Sequence, residues 1–248
     1  NGNGKKDETP YFSRNMGSDY EEGISDLISI WGGYKDWYVK DGKVKFGPLE
    51  PEYKASIKNV AQWYKEKLID PEIFTRGGKA RDILLENNMG GVTHDWFASN
   101  ANYNDTLKEK IPGFEFISFA PPSGKEYTKR DLIPTGWGIS ASNKHQAETM
   151  KYFDFWFTEE GRRLANFGIE GQQYTMVDGK PKFNDSILKG EKNANVLLTD
   201  IGAQLTFGYQ QDFTYEEQWL NPIALKGMKE YIDHKYIQDG FPSVIRTP

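Results

Sequence analysis

Apolar and polar positions recur along the chain with two periods, one typical of strands and the other typical of helices. Two alternating segments flank Asp41 and Gly42 within residues 36–46, which predicts a β-hairpin with a tight turn. From Pro51 to Lys67 the apolar residues recur at helical spacing, which predicts a helix. The face of this helix that the spacing predicts to be buried consists of Ile57, Val60, Ala61, Tyr64 and Leu68.

The stretch 79–93 joins a predicted helix to a predicted short strand. Helical spacing from about Lys79 to Glu86 is followed by the strand-like run 89–93. Such a strand places the next three residues at its C-terminal end, where α/β proteins bind their ligands. These three residues are His94, Asp95 and Trp96.

A second strand-like run at 114–119 is followed by the Pro/Gly-rich residues 120–124, which predict a crossover between two lobes. Beyond it, residues 144–157 have a helical pattern, and Thr158 is placed to cap another helix that ends before Gly168.

A long terminal helix is predicted over 215–236, with an interruption at Pro222. Strands and helices therefore alternate, and no internal repeat is present. This order predicts an α/β fold.

The charge balance argues against nucleic acid as a partner. The chain has 31 Lys and Arg against 36 Asp and Glu, a net charge of −5, and its basic residues form no long run. No apolar stretch approaches the length of a membrane span. Without cysteine, disulfides and thiolate metal sites are excluded.

Aromatic residues are unusually frequent, at 15% of the chain. Flat aromatic faces with polar rims suit ligands that are partly apolar and partly hydroxylated, as sugars are. An aromatic core is the alternative explanation. Trp96 at a strand end, Trp137 between two glycines, and Tyr174 beside Gln173 are placed for stacking and hydroxyl contacts.

Catalytic patterns are weak by comparison. His94 and Asp95 are neighbours, so their side chains point to opposite faces of a strand and do not form a catalytic pair. The acidic pairs 159–160 and 216–217 fall in the first turns of predicted helices, where carboxylates favour the helix dipole. No nucleophile elbow or phosphate-binding loop is present.

The opening eight residues have the spacing of a calcium loop, with oxygen side chains at alternate positions and a glycine at the sharp turn. The first ligand of an EF-hand loop would precede this segment, and Pro10 stands where the twelfth ligand would be. A solvated Asn/Gly turn is the alternative. The candidate calcium ligands are Asn1, Asn3, the Lys5 carbonyl, Asp7 and Glu8.

Several short segments occur in a characteristic order along the chain. They are the opening loop 1–8 followed by 10–12, the turn 41–43, the stretch 64–70, the crossover 120–122, and 167–171 with Tyr174. In this order they resemble the family 1 extracellular solute-binding proteins of ABC sugar importers, especially the larger lipoproteins that deliver oligosaccharides in Gram-positive bacteria.

The resemblance implies a type II periplasmic-binding-protein-like fold, in which two α/β lobes close on a ligand about a hinge. Since whole family members are nearly twice as long, we expect a fragment holding one lobe and part of the other. The expected divisions are 1–119 for a lobe with the calcium-type loop, 120–189 for the crossover and a segment of the second lobe, and 190–248 for a return to the first.

The resemblance also implies roles for individual residues. Alginate-binding relatives hold a structural calcium in the opening loop, and maltose-binding relatives reach the sugar with residues that match Tyr11 and Trp96. With the strand-end and aromatic candidates, the predicted ligand-binding set is Tyr11, His94, Asp95, Trp96, Trp137, Gln173 and Tyr174.

The functional prediction is therefore a non-catalytic, monomeric protein outside the cell, lipid-anchored in its full-length form, which captures an oligosaccharide and delivers it to a membrane permease. The acidic balance of the chain makes a strongly anionic sugar a less favoured ligand. A polysaccharide-degrading enzyme with an aromatic cleft and a surface adhesion module remain alternatives.

Overall fold

A computed structural model describes residues 3–14, 22–124, 126–128, 137–192, 194–204, 209–212 and 214–239. The α-helices are α1 Glu22–Ile28, α2 Pro51–Lys65, α3 Ala80–Glu86, α4 Phe97–Leu107, α5 Gln146–Phe155, α6 Glu159–Phe167, α7 Asp185–Leu188, α8 Ala194–Asp200, α9 Thr214–Glu217 and α10 Pro222–Asp233. The strands are β1 Thr9–Tyr11, β2 Trp37–Lys40, β3 Lys43–Phe46, β4 Gly90–Val92, β5 Glu126–Thr128, β6 Tyr174–Val177, β7 Lys180–Phe183 and β8 Ile237–Asp239.

The chain divides into two compact units. Unit 1 comprises Asn1–Leu132 and Asn221–Pro248, and unit 2 comprises Ile133–Leu220. The predicted divisions have the same order, with boundaries placed after residues 119 and 189 instead. Strand β5 pairs with β8 inside unit 1, and α8 packs on the core of unit 2.

Unit 1 is built around the parallel pair β1 and β4, in which Thr9 lies opposite Gly90 and Tyr11 opposite Val92. Successive side chains of a strand point to opposite faces, so Tyr11 and Phe12 enter different apolar clusters. Tyr11 packs with α1, α2 and the loop after α2, whereas Phe12 packs with α3 and α4. The end of β1 is thereby fixed from both sides.

The predicted hairpin at 36–46 is confirmed. Strands β2 and β3 pair antiparallel, with Lys40 opposite Lys43. The turn residues Asp41 and Gly42 have φ of 54° and 71°, the left-handed region that a tight turn requires and that these residue types tolerate.

Helix α2 is confirmed, but its predicted buried face is wrong. Ser56 and Val60 are buried, and Trp63 is half-buried with its ring edge-on to that of Trp31, at 4.7 Å between centroids. Ile57 and Tyr64 remain exposed. The actual face runs along the i, i+4, i+7 row from Ser56, which turns the helix by about one residue from the expected orientation.

The strand predicted at 114–119 is also wrong, because a side chain, not a neighbouring strand, forms hydrogen bonds with the backbone of this segment. The buried Asn104 in α4 accepts a bond from the Phe116 N–H at 2.6 Å and donates to the Phe116 carbonyl at 2.8 Å. Among the described residues, no strand pairs with this segment.

In unit 2 the predicted helix cap at Thr158 is confirmed. Its hydroxyl accepts a bond from the Gly161 N–H at 3.1 Å, and α6 ends before Gly168, whose φ is 83°. The hairpin of β6 and β7 packs on α6. The core formed there consists of Phe167, Tyr174, Phe183, Ile187, Ala194, Leu198, Ala203 and Tyr215.

Candidate functional site

The two parallel strands of unit 1 end at the same edge, and charged side chains meet beyond it. Arg14 stands three positions beyond the end of β1, and Asp95 stands three positions beyond the end of β4. The in-register pairing of the strands carries these two residues to the same level. Arg14 Nε lies 2.6 Å from Asp95 Oδ2, and Arg14 Nη2 donates to Asp95 Oδ1 at 2.9 Å.

A second guanidinium completes the surroundings of Asp95. Arg81 Nη1, from α3, lies 3.0 Å from Asp95 Oδ2, and the Trp96 N–H donates to Asp95 Oδ1 at 2.7 Å. The Asp95 side chain is only 5% exposed. Its oxygens are therefore engaged inside the protein, which argues against the predicted bond from Asp95 to a sugar hydroxyl.

Arg81 links this cluster to the first turn of α4. The same Nη1 donates to Ser99 Oγ and to Asn100 Oδ1, both at 2.9 Å. The guanidinium also lies over the Tyr103 ring, 5.6 Å from its centroid, in a cation–π contact. Three elements, α3, the loop after β4 and α4, are joined through one side chain.

The pKa of the Tyr103 hydroxyl is raised above its usual value. Its hydroxyl donates to the Asp82 carboxylate, and burial followed by that hydrogen bond raises the pKa of Tyr103 to about 12. Since the neutral phenol is the donor, the bond is present only while Tyr103 is protonated.

Trp96 carries the exposed ring of this edge. The residue caps the N-terminus of α4 in an extended conformation, and 76% of it is exposed. Its carbonyl accepts bonds from the Asn100 N–H at 3.0 Å and from Ser99 Oγ at 3.2 Å. The backbone of Trp96 is fixed while its ring faces outward from unit 1, as a stacking residue requires.

His94 pairs with Asp26 of α1, with Nδ1 3.2 Å from Asp26 Oδ2. His94 and Asp95 thus take different partners, in agreement with the prediction that neighbouring side chains point apart. Half of the His94 side chain is exposed, so it remains placed to contact a ligand beside Trp96.

Tyr11 lies in the core of unit 1, not on its surface. Its hydroxyl donates to the Gly23 carbonyl at 3.2 Å, and burial raises its pKa above the usual value. A ring packed in this way has no face for a sugar, so the structure argues against direct contact by Tyr11. Its role is to anchor the end of β1.

Of the aromatic candidates in unit 2, Trp137 is exposed and Tyr174 is not. Trp137 is 64% exposed and stacks on Phe153 of α5, with ring centroids 5.4 Å apart and 29° between the planes. Tyr174 is 4% exposed and its ring lies 5.8 Å from that of Phe167, which removes it from the candidate stacking faces.

The side chain of Gln173 forms a hydrogen bond within its own loop. Its side-chain oxygen accepts a bond from the Ile169 N–H at 2.9 Å, which closes the turn after α6. That bond competes with the predicted contact to a sugar hydroxyl.

The described part of the opening loop forms a compact turn. Asn3 Nδ2 donates to the two Asp7 carboxylate oxygens at 3.2 and 3.3 Å, and the Lys5 N–H donates to Asn3 Oδ1 at 2.8 Å. Gly4, at φ 76°, supplies the bend. Asn1 lies outside the described residues.

The predicted site omitted both arginines. Arg81 lies on a predicted helix, where a charged residue is ordinarily expected on the exposed face. The sequence therefore contains no sign that Arg81 belongs to the site. Arg14 could have been predicted from the strand positions. It follows β1 at the same distance as Asp95 follows β4, and residues at equal distances beyond two paired parallel strands are expected to lie close together.

The match to a family model agrees with this architecture. Residues 2–163 match the family of bacterial extracellular solute-binding proteins, and the chain belongs to that family. Its mixed helix and strand content is that of the α/β solute-binding fold.

Two relatives are informative. The crystal structure of the alginate-binding protein AlgQ2 without calcium ion is 40% identical, with a TM-score of 0.75, over 94% of this chain and 50% of that one. The fructooligosaccharide ABC transporter substrate-binding protein FusA of Streptococcus pneumoniae serotype 4 (strain ATCC BAA-334 / TIGR4) is 27% identical over 184 residues, 69% of this chain and 32% of FusA. This chain therefore spans half or less of the length of these relatives.

Within the described ranges, no helix is long and apolar enough to cross a membrane.

Proposed function

We propose that this chain is part of the substrate-binding component of an ABC importer and that it captures an oligosaccharide without transforming it. The observation that carries the proposal is Trp96, a ring 76% exposed at the edge where two parallel strands end. Such an edge is where α/β proteins bind ligands, and an exposed indole suits the apolar face of a sugar ring.

The charges at this edge bear on the kind of sugar. Arg14 and Arg81 share the single carboxylate of Asp95, so two guanidinium groups stand against one carboxylate in these direct ion pairs. Arg14 also keeps a fifth of its side chain exposed. These guanidinium groups suit an acidic sugar despite the net charge of −5 over the whole chain.

The ligands named for the two relatives support an oligosaccharide ligand in different ways. One binds alginate, which is a polyuronate, and the other serves a transporter of neutral fructooligosaccharides. We propose the acidic class first, because the structural relative shares more sequence with this chain and the arginine cluster favours it.

The enzyme alternative requires two carboxylates that face each other across a pocket. In unit 2 the acidic pair Glu159 and Glu160 lies in the first turn of α6, and Glu159 lies 3.8 Å from Arg163 on the same helix. Carboxylates there stabilise the helix terminus. A binding role also agrees with the family of extracellular solute-binding proteins.

A structural calcium ion is a further part of the proposal. Asn3 and Asp7 already lie together around the Gly4 bend, and the ligand set would also include Asn1, the Lys5 carbonyl and Glu8. An ion would compete with the present bond from Asn3 Nδ2 to Asp7, because it needs the amide oxygen on that side. The ion would tie the start of β1 to the loop before it.

The remaining elements of the proposal concern the whole protein. It acts as a monomer, anchored by lipid on the outer face of the cytoplasmic membrane, and it delivers its sugar to the permease subunits. Light scattering of the purified chain tests the monomer, with a mass of 28.4 kDa as the expected result.

The test of the ligand is a thermal-shift screen with alginate, fructan, maltose-series and cellulose-series oligosaccharides, each with and without EDTA, followed by product analysis. A ligand at a hundred times its Kd adds about 2.7 kcal/mol to the free energy of unfolding. We expect alginate oligosaccharides to raise the midpoint and to be recovered intact. Cleavage of the sugar would overturn the proposal, as would a screen in which no carbohydrate has an effect.

EDTA separates the calcium proposal from the sugar proposal. If calcium is bound, EDTA lowers the midpoint and added calcium restores it, and Asp7→Asn reduces the effect. If EDTA leaves the midpoint unchanged, the loop is a solvated turn and the calcium proposal fails, whatever the sugars do.

A further inference from the structure

Most of the surface of Trp96 is open to solvent, so packing covers little of its ring. With 76% of the residue exposed, the side chain is oriented mainly by the backbone that presents it. An exposed ring on a mobile backbone would lose conformational entropy on binding, whereas a fixed backbone removes part of that cost before the ligand arrives. What holds the Trp96 backbone therefore matters for affinity.

Both polar backbone atoms of Trp96 are bound by neighbouring side chains. Its N–H donates to Asp95 Oδ1 at 2.7 Å, and its carbonyl accepts from Ser99 Oγ at 3.2 Å. Asp95 and Ser99 are in turn both bound by Arg81 Nη1, at 3.0 and 2.9 Å. The contacts form a closed ring that passes through the two peptide groups of Trp96.

Arg14 ties this ring to the other strand. Its bidentate contact with Asp95 joins the end of β1 to the loop after β4. The carboxylate pairs with Arg14 beyond β1 and with Arg81 of α3, and it accepts a bond from the Trp96 N–H at the start of α4. One buried acid therefore links three elements at the place where Trp96 emerges. A carboxylate with two guanidinium partners is well compensated for its burial.

We propose that Asp95 is a positioning residue for ligand binding: clamped by Arg14 and Arg81, it fixes the backbone of Trp96 so that the exposed ring is preorganised for its sugar. The inference rests on the proposed function, because it assigns Trp96 the contact with the ligand. Asp95 itself does not touch the ligand, which distinguishes this role from the hydroxyl contact predicted from the sequence.

If Asp95 only stabilised the fold, it would act like any other buried ion pair. Unit 1 contains such a pair, which serves as a comparison. Asp70 is completely buried and makes a bidentate contact with Arg76, at 2.7 and 2.9 Å. It also accepts a bond from the Glu72 N–H, at 3.0 Å. Asp70→Asn is therefore a matched control that breaks a similar pair without touching the ring around Trp96.

The experiment uses the whole chain labelled with 5-fluorotryptophan, which gives seven fluorine signals, one for each Trp. Trp96→Phe assigns the signal of Trp96. In Asp95→Asn we expect the Trp96 signal to shift and broaden in the free protein, and the affinity for alginate oligosaccharides to fall about tenfold by calorimetry. Asp70→Asn is expected to lower the thermal midpoint but to leave the Trp96 signal and the affinity as they are.

Should Asp95→Asn fail to fold, Ser99→Ala removes the two bonds that Ser99 Oγ makes in the ring, to Arg81 and to the Trp96 carbonyl, at a more exposed position. The same shift and broadening, with a smaller loss of affinity, are expected. An unchanged Trp96 signal and affinity in a folded Asp95→Asn variant would overturn the inference. Equal effects of Asp70→Asn would also overturn it, because the role would then be general stability. If Trp96→Phe and Trp96→Ala bind as tightly as the native chain, the placement of the ligand fails instead.

Discussion

Arg14 Nε lies 2.6 Å from Asp95 Oδ2, and the two residues stand at equivalent positions beyond the ends of two parallel strands. They are 81 positions apart in the sequence, and the described residues between them include three helices and a hairpin, yet the strand register brings the pair together. The pair turns an open strand edge into a fixed support for Trp96.

The stability of the chain should fall with pH above 10 in a manner that depends on Tyr103. Its pKa is about 12 in the folded chain, against 10.0 for a free tyrosine, because of burial and the bond to Asp82. The folded state therefore keeps a proton that the unfolded state loses first. The stability from this group is complete below pH 10 and is lost as pH rises to 12.

Urea denaturation at pH 9, 10, 11 and 12 measures this dependence. Tyr103→Phe should lose less stability over this range than the native chain. Tyr64→Phe, which changes an exposed tyrosine of the same unit, is the control and should follow the native profile. Identical slopes for all three proteins would refute the shift.

Gly161→Ala should destabilise unit 2 by roughly 2 kcal/mol, because the added methyl group has no room. A Cβ at Gly161 would lie 2.0 Å from the Phe155 carbonyl oxygen, whereas a Cβ at Gly138 would meet no atom within 4 Å. Gly138→Ala is therefore the control, expected to leave the free energy of unfolding nearly unchanged. Denaturant midpoints of the two variants make the comparison, and similar midpoints would contradict the packing at α6.

Asp70→Ala should cost about 3–5 kcal/mol of stability, because it leaves Arg76 partly buried without its partner. The bond to Asp70 also raises the pKa of the Arg76 guanidinium, which stays charged. Asp185→Ala breaks an exposed pair with Lys189, 2.9 Å apart, and should cost less than about 1 kcal/mol. Chemical denaturation of both variants tests this difference, and equal losses would show that burial does not govern these pairs.

Local signals in the sequence predicted local structure well. The Asp41-Gly42 turn, the Thr158 cap and the interruption before Pro222 depend on residues close in the chain, and each occurs in the structure. The strand predicted at 114–119 failed because Asn104, which lies elsewhere in sequence, supplies its hydrogen bonds. The strand propensity of a segment does not indicate which residue outside the segment will form hydrogen bonds with it.

The candidate site was predictable in part for the same reason. A strand end followed by His94, Asp95 and Trp96 identified the edge, and the exposed indole agrees with a ligand contact. Engagement by Arg81 argues against a ligand contact from Asp95, and burial in the two cores argues against contacts from Tyr11 and Tyr174. Both depend on tertiary packing, which a local pattern does not contain. Side-chain type indicates what a residue can do, and burial decides whether a ligand can reach it.

The central claim is that Trp96 contacts an oligosaccharide, and calorimetric titration of Trp96→Ala with alginate oligosaccharides tests it most directly. Because the ring is largely exposed, the substitution should leave the thermal midpoint nearly unchanged. The affinity should fall by about tenfold to a hundredfold, a loss of about 1.4 to 2.7 kcal/mol in binding free energy. Trp37→Ala removes another ring of unit 1 that is 53% exposed and should bind as the native chain does. Native affinity in Trp96→Ala, or an equal loss in Trp37→Ala, would contradict the account.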